Sequence, residues 1–238
     1  MAVFIHLAAV TEIIRDLKND IVQFQICFPL RVNGFIAKQR TENIAGHGTG
    51  RIAVAVMLGH AIACARRVVG DEPFAVMVGD DVIFSGDPGI RQLMGVAQAK
   101  QTSAVGVMEV PLENVHRYGI VDGEETAPGI YNVKGLVEKP SKEKAPSRLA
   151  IVGRYILTPE IFECLDKTPP GANGEIQLTD AMALLCREQG MSAVKLQGKR
   201  FDAGNWPEFL SANIYVGMQD EKIRLQLLQE LRQFLNLY

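Results

Sequence analysis

Phe74-Ala75-Val76-Met77-Val78 is an apolar run that stops at Gly79-Asp80-Asp81. A short continuous apolar segment bounded by turn signals reads as a strand buried on both faces. Downstream, Pro88 to Gln101 carries Ile90, Leu93, Met94 and Ala97 near helical spacing. Thr102 to Val110 then reads as a second strand, rich in small and β-branched apolar residues. Strand, helix, strand predicts an α/β fold built on a parallel sheet.

The 238 residues form one large or two small domains, enough to bury a real core. Hydrophobic residues make up 47% and charged residues 22%, an ordinary globular balance. The 25 Lys plus Arg against 27 Asp plus Glu leave a formal charge of −2, which argues against binding nucleic acid through bulk charge. Cys27, Cys64, Cys164 and Cys186 form no C-x-x-C pair, so neither a zinc site nor a disulfide framework is indicated. A reducing cytoplasm is the expected location. Ile52 to Ala65 is too short to span a bilayer and contains His60. Met1 to Val10 lacks the basic start and cleavage site of a signal peptide.

Further along, Tyr118 to Val121, Ile130 to Val133 and Gly135 to Glu138 are short strands in an antiparallel region. Leu149 to Leu157 and Ser192 to Leu196 are strands as well. Thr158 before Pro159, and Thr179 before a helix to Glu188, are candidate N-caps. Glu221 to Tyr238 is an amphipathic helix, with Ile223, Leu227, Leu231 and Phe234 on one face. That face either packs on the domain or meets another subunit. Near the start, Val10 to Leu17 reads as helix and Ile21 to Phe28 as strand.

Chemistry concentrates at strand ends. Acidic residues at the carboxyl end of a parallel strand point into the crevice where open α/β sheets bind ligands. Gly79-Asp80-Asp81 could hold Mg²⁺ there, or be a solvated turn. In Glu138-Lys139-Pro140, carboxylate and ammonium point apart if the strand continues. At a strand end they could instead meet a sugar hydroxyl and a phosphate, or form a surface pair. Gly174-Glu175-Ile176-Gln177-Leu178-Thr179-Asp180 places polar groups at a helix start. Phe201-Asp202-Ala203-Gly204-Asn205-Trp206 is a second acidic turn before a helix from Pro207. The four histidines show no motif spacing. Ala45 to Arg51 looks like a phosphate loop, but no convincing strand precedes it.

Taken in order, these segments resemble the bacterial UTP–glucose-1-phosphate uridylyltransferases, which are sugar-phosphate nucleotidyltransferases. The landmarks run from Leu58-Gly59-His60-Ala61 and Gly79-Asp80-Asp81 to Tyr118-Gly119-Ile120-Val121 and Leu136-Val137-Glu138-Lys139-Pro140. They continue through Gly153-Arg154-Tyr155, Gly174 to Asp180 and Asp202-Ala203-Gly204, so that the resemblance covers about Leu58 to Met218. It implies an α/β fold with a Rossmann-like sheet, flanking helices, a small antiparallel sugar-binding region and a C-terminal helix. It implies uridylyl transfer from UTP to glucose 1-phosphate, giving UDP-glucose and pyrophosphate with Mg²⁺ as cofactor. Asp80 and Asp202 are then the expected metal ligands and, with Lys139, the catalytic set. Gly119 is expected against the glucose ring, and Gly59 at the nucleotide pocket. Glu138 is expected on the sugar hydroxyls and Lys139 on the sugar phosphate. Gly153 and Glu175 complete the expected substrate-binding set.

Met1 to Met57 reads as foreign to the family, as in a truncated, frame-shifted or fused gene, with the first family strands missing or replaced. The expected units are therefore 1–57, a nucleotidyltransferase core at 58–218 and a helix at 219–238. Where the family has a Gln for the uracil edge and a second Gly, this chain has Ile52 and Met57. Three readings stay open: a uridylyltransferase, a sugar-nucleotide-binding remnant without turnover, and a nucleotidyltransferase for another base or sugar. A homo-oligomer through the C-terminal helix is a further expectation.

Overall fold

A computed structural model describes the backbone of Val22–Ile26 together with residues 58–171, 174 and 176–237. The expected helix at Val10 to Leu17, the Gly46 to Arg51 loop, Ile52, Met57 and Glu175 lie outside the described residues.

The strands are β1 (Val22–Ile26), β2 (Phe74–Val78), β3 (Asp81–Phe84), β4 (Ser103–Glu109), β5 (Gly119–Ala127), β6 (Ile130–Glu138), β7 (Leu149–Leu157), β8 (Met191–Lys195) and β9 (Lys199–Asp202). Seven form one sheet in the order β1-β2-β7-β4-β8-β6-β5, while β3 and β9 form a separate ribbon. The described helices are α1 (Leu58–Cys64), α2 (Arg66–Val69), α3 (Gly89–Lys100), α4 (Ile161–Lys167), α5 (Leu178–Gln189), α6 (Trp206–Gln219) and α7 (Glu221–Leu235).

The α/β reading holds, but the sheet is mixed rather than parallel. β2 and β4 run in the same direction without touching, because β7 lies between them, antiparallel to both. The composition of β7 explains the insertion. Most of its residues are buried, with Ala150 and Leu157 fully so. Only a strand with neighbours on both edges and cover on both faces can bury such a run. The expected antiparallel segments merge into one hairpin, β5–β6, which joins the main sheet through β6–β8 and a β5–β7 bridge. Its turn is Pro128-Gly129, where Gly129 takes φ +73°.

Side-chain alternation sorts the core into two layers. Phe74, Val76, Val105 and Leu157 face α1, α4 and α5. Ala75, Ala104, Val152 and Ile156 face Ile90, Leu93 and Ala97 of α3. Phe74 stacks on Phe162 of α4, with centroids 5.3 Å apart.

Two expected caps are replaced by other contacts. Residue Glu160 flanks α4 without capping it; the Thr158 hydroxyl instead donates to Gln189, while its N–H donates to Ser103 Oγ. Helix α5 starts one residue earlier than expected, at Leu178, and Thr179 is a buried first-turn residue rather than the cap. The C-terminal helix forms as expected but buries none of its residues; it packs on α6, where Leu227 and Ile223 lie against Gly217. Phe234, expected on the packing face, is exposed. No described helix is long and apolar enough to cross a membrane.

Candidate active site

Two acidic turns meet because their strands pair. In the β3–β9 ribbon, Asp81 lies opposite Asp202. The Ala203 N–H donates to the Asp80 carbonyl at 2.7 Å, joining the turns directly. A Cβ built on Gly204 would stand 3.1 Å from both Asp202 Oδ1 and Asp80 Oδ2, so the two carboxylates converge on the space beside that glycine. The Asp202 backbone is itself fixed, its N–H donating to Glu208 Oε2 at 2.7 Å. Burial pushes the Asp80 carboxyl above its ordinary value; a backbone hydrogen bond opposes this, while the charges of Asp202 and Asp81 add to it. Two partly screened carboxylates that repel each other are a suitable donor set for a hard divalent cation, which needs one or two carboxylates beside substrate phosphates. Among the described residues, no cluster of three or more His, Cys, Asp or Glu groups could hold a metal by itself.

Asp81, read in sequence as Asp80's partner, has a different job. It is 6% exposed. Arg200 donates to both its oxygens, Nε to Oδ1 at 2.6 Å and Nη2 to Oδ2 at 3.0 Å. Oδ2 also accepts the Gly153 N–H at 2.9 Å. Burial alone would weaken the Arg200 charge, but the Asp81 hydrogen bonds outweigh it and raise its pKa. Gly153 is pressed against this pair: a Cβ there would stand 2.6 Å from Val78 Cβ. The structure thus places Gly153 behind the acidic turn, and it is absent from the cleft lining described next.

That cleft, of about 230 Å³, brings together Gly59, Gly119, Glu138 and Lys139. Gly119 and Glu138 face each other in the β5–β6 register. A Cβ on Gly119 would lie 2.7 Å from Thr179 Oγ1 and 3.2 Å from Glu138 Oε2. The glycine is therefore required by its protein neighbours, whatever ligand lies above it. Gly119→Ala is expected to cost about 1–3 kcal/mol, read as a lower denaturation midpoint, because Thr179 and Ile151 must move. Gly59 is similarly close to Ile176 O, at 2.5 Å from a built Cβ.

Lys139 leaves the strand with φ +44°, a conformation rare for a residue with a side chain. Its N–H donates to Tyr118 O at 3.0 Å, and its ammonium lies 3.6 Å from Glu138 Oε1. The strand end, not the strand, decides this geometry: the two charges do not diverge. Such a local outlier at a cleft is a pointer to function.

Among the lining residues, Arg117 is absent from the sequence motifs, and Tyr118 and Tyr155 stand in them without an assigned role. Arg117 and Tyr118 stand next to Gly119 and could have been found from that adjacency. Its guanidinium lies 3.7 Å from Asp202 Oδ2, which links the cleft to the acidic pair. Tyr155 is buried against this cluster, and burial pushes its phenol well above the ordinary value.

The fold and site are those of a mixed α/β sheet carrying two acidic residues beside a cleft at its strand ends. The nucleotidyl transferase family model matches residues 9–218, and the chain belongs to that family. The UTP–glucose-1-phosphate uridylyltransferase of Bacillus subtilis is 48% identical over 179 residues, covering 75% of this chain and 61% of the relative. The enzyme of the same name from Staphylococcus haemolyticus is 45% identical over 176 residues, 74% of this chain and 61% of the relative. A crystal structure of a UDP-glucose pyrophosphorylase complexed with UDP-glucose matches with TM-score 0.64 and 44% identity, over 67% of this chain and 62% of that one. A UTP-bound enzyme from Acinetobacter baumannii matches with TM-score 0.67 and 34% identity, over 74% of this chain and 61% of that one. The chain therefore spans about three fifths of the length of these relatives.

Proposed function

We propose that this chain catalyses uridylyl transfer from UTP to glucose 1-phosphate, forming UDP-glucose and pyrophosphate. The observation that carries the reading is the meeting of Gly119, Glu138 and Lys139 in one cleft, tied through Arg117 to the Asp80–Asp202 pair. A phosphate oxygen of glucose 1-phosphate attacks the α-phosphorus of UTP. The bond to the α,β-bridging oxygen breaks, and pyrophosphate leaves with that electron pair. Chemistry of this kind needs positioning and charge neutralisation more than a covalent nucleophile.

Glu138 accepts hydrogen bonds from sugar hydroxyls, and Gly119 lets the sugar lie close to the sheet. Lys139 neutralises the sugar phosphate. Gly59 and Glu175 are assigned to the substrate pocket; Gly153 acts from behind by holding Asp81. Asp80 and Asp202 are the residues that hold Mg²⁺, which when bound supplies positive charge to the phosphate oxygens. We place the protein in the cytoplasm, in keeping with the free thiols of Cys64, Cys164 and Cys186. The exposed apolar residues of α6 and α7, among them Leu210, Leu225 and Phe234, support a homo-oligomer.

Lys139→Met is expected to raise the KM for glucose 1-phosphate by about tenfold or more, the size of one charged hydrogen bond, with a smaller effect on the KM for UTP. An equal effect on both would remove Lys139 from the sugar phosphate. The function itself is tested by pyrophosphate release from UTP and glucose 1-phosphate, with and without Mg²⁺, on the 238-residue chain. Mg²⁺-dependent UDP-glucose formation is expected. Binding of UDP-glucose without turnover would replace transfer with a binding role. Preference for dTTP or GTP over UTP would overturn the uridylyl assignment.

A further inference from the structure

We propose that Arg117 is a phosphate-binding residue of the cleft, parked on Asp202 in the free protein and transferred to a diphosphate when one arrives. The inference deepens the transferase reading and rests on it. A six-residue 3₁₀ helix, Leu112–Arg117, ends directly before Tyr118-Gly119. The backbone therefore delivers Arg117 to the cleft beside the sugar-facing glycine. Its side chain is 42% exposed, against 14% for Arg200.

The two arginines share an aromatic surface but not a fate. Each guanidinium carbon lies 5.7 Å from the Tyr118 ring centroid. Arg200 is tied to Asp81 by two short hydrogen bonds, at 2.6 and 3.0 Å. Arg117 reaches Asp202 at 3.7 Å, an attraction too long for the charge-assisted hydrogen bonds of about 2.7–2.9 Å that a guanidinium forms. The planar fork thus keeps donors to offer, and its geometry matches two oxygens of one phosphate group. Lys139 shows the same pattern, 3.6 Å from Glu138. At rest the cleft holds two cations, each loosely paired with a carboxylate that the proposed reaction uses otherwise. Glu138 turns to sugar hydroxyls and Asp202 to the acidic pair's cation, which leaves both cations for phosphate. Arg117 bridges the acidic pair and the cleft, so its share is the diphosphate linkage between sugar and nucleoside.

The test is calorimetric titration with UDP-glucose in EDTA, which reads binding without metal or turnover. Arg117→Gln is expected to weaken binding by about tenfold or more, with the unfolding midpoint held within about 2 °C. Asp202→Asn is expected to tighten metal-free binding severalfold, because Arg117 is already released. In the Arg117→Gln background that gain should vanish, since the coupling belongs to the pair. Equal binding by wild type and Arg117→Gln would overturn the proposal. So would a gain from Asp202→Asn that persists without Arg117, because it would reflect removal of a negative charge alone. If the wild type does not bind UDP-glucose at all, the functional reading falls first and this inference with it.

Discussion

Asp80→Asn is expected to lower UDP-glucose formation by about 10²–10³-fold while leaving the protein at least as heat-stable as the parent. The loss follows from removing one of the two carboxylates that converge beside Gly204. The retained stability follows from the direction of the Asp80 shift. Burial raises its pKa, and the neighbouring Asp202 and Asp81 charges raise it further. A carboxyl raised in the folded state holds its proton more tightly there than in the unfolded chain. Stability therefore falls as pH climbs from the ordinary carboxylate value through the raised folded one, and the deficit persists at neutrality. Asparagine removes the charge and with it the deficit. Thermal unfolding at neutral and mildly acid pH, run beside a turnover assay, checks both halves. Mg²⁺ should raise the midpoint of the parent and leave that of Asp80→Asn unchanged. Turnover unaffected by the substitution would remove Asp80 from the site.

One residue further on, the outcome reverses. Asp81→Ala is expected to destabilise the fold by about 3–5 kcal/mol, because it leaves the Arg200 guanidinium buried without its counter-charge. The Gly153 N–H also loses its acceptor. For a chain of this size the midpoint should fall by roughly 6–20 °C, at about 2–4 °C per kcal/mol. Replacing both partners, Asp81→Leu with Arg200→Leu, should recover much of that loss, since two apolar groups leave no orphaned charge. Urea denaturation of the parent and the two variants decides it. A loss below about 1 kcal/mol in Asp81→Ala would mean that the pair is solvated and the ribbon is held by other contacts.

These adjacent aspartates show where reading a sequence succeeds and where it stops. Gly79-Asp80-Asp81 after an apolar run announces an acidic strand end, and nothing in those letters separates the two side chains. The separation comes from β3: Asp81 is its first residue, facing Asp202 and the Arg200 side chain, while Asp80 stays in the turn. Arg200 lies 119 positions away, beyond the reach of any local pattern. The antiparallel segments around Gly119 and Glu138 were legible because a turn, Pro128-Gly129, joins neighbouring strands. The mixed sheet was not, because β2 and β4 look like the partners of a strand–helix–strand unit until β7 arrives.

By itself the sequence determined most strands of the main sheet and its longer helices, through the periods of its apolar residues, and which short motifs ally the chain to nucleotidyl transferases; the β3–β9 ribbon, read as two acidic turns, it did not show. The tertiary structure alone decided which strand lies between which, and so which charges meet. Periodicity is set by neighbours along the chain. Strand order and ion pairing are set by which surfaces can be buried together, and a buried charge accepts only a partner that the whole fold delivers to it.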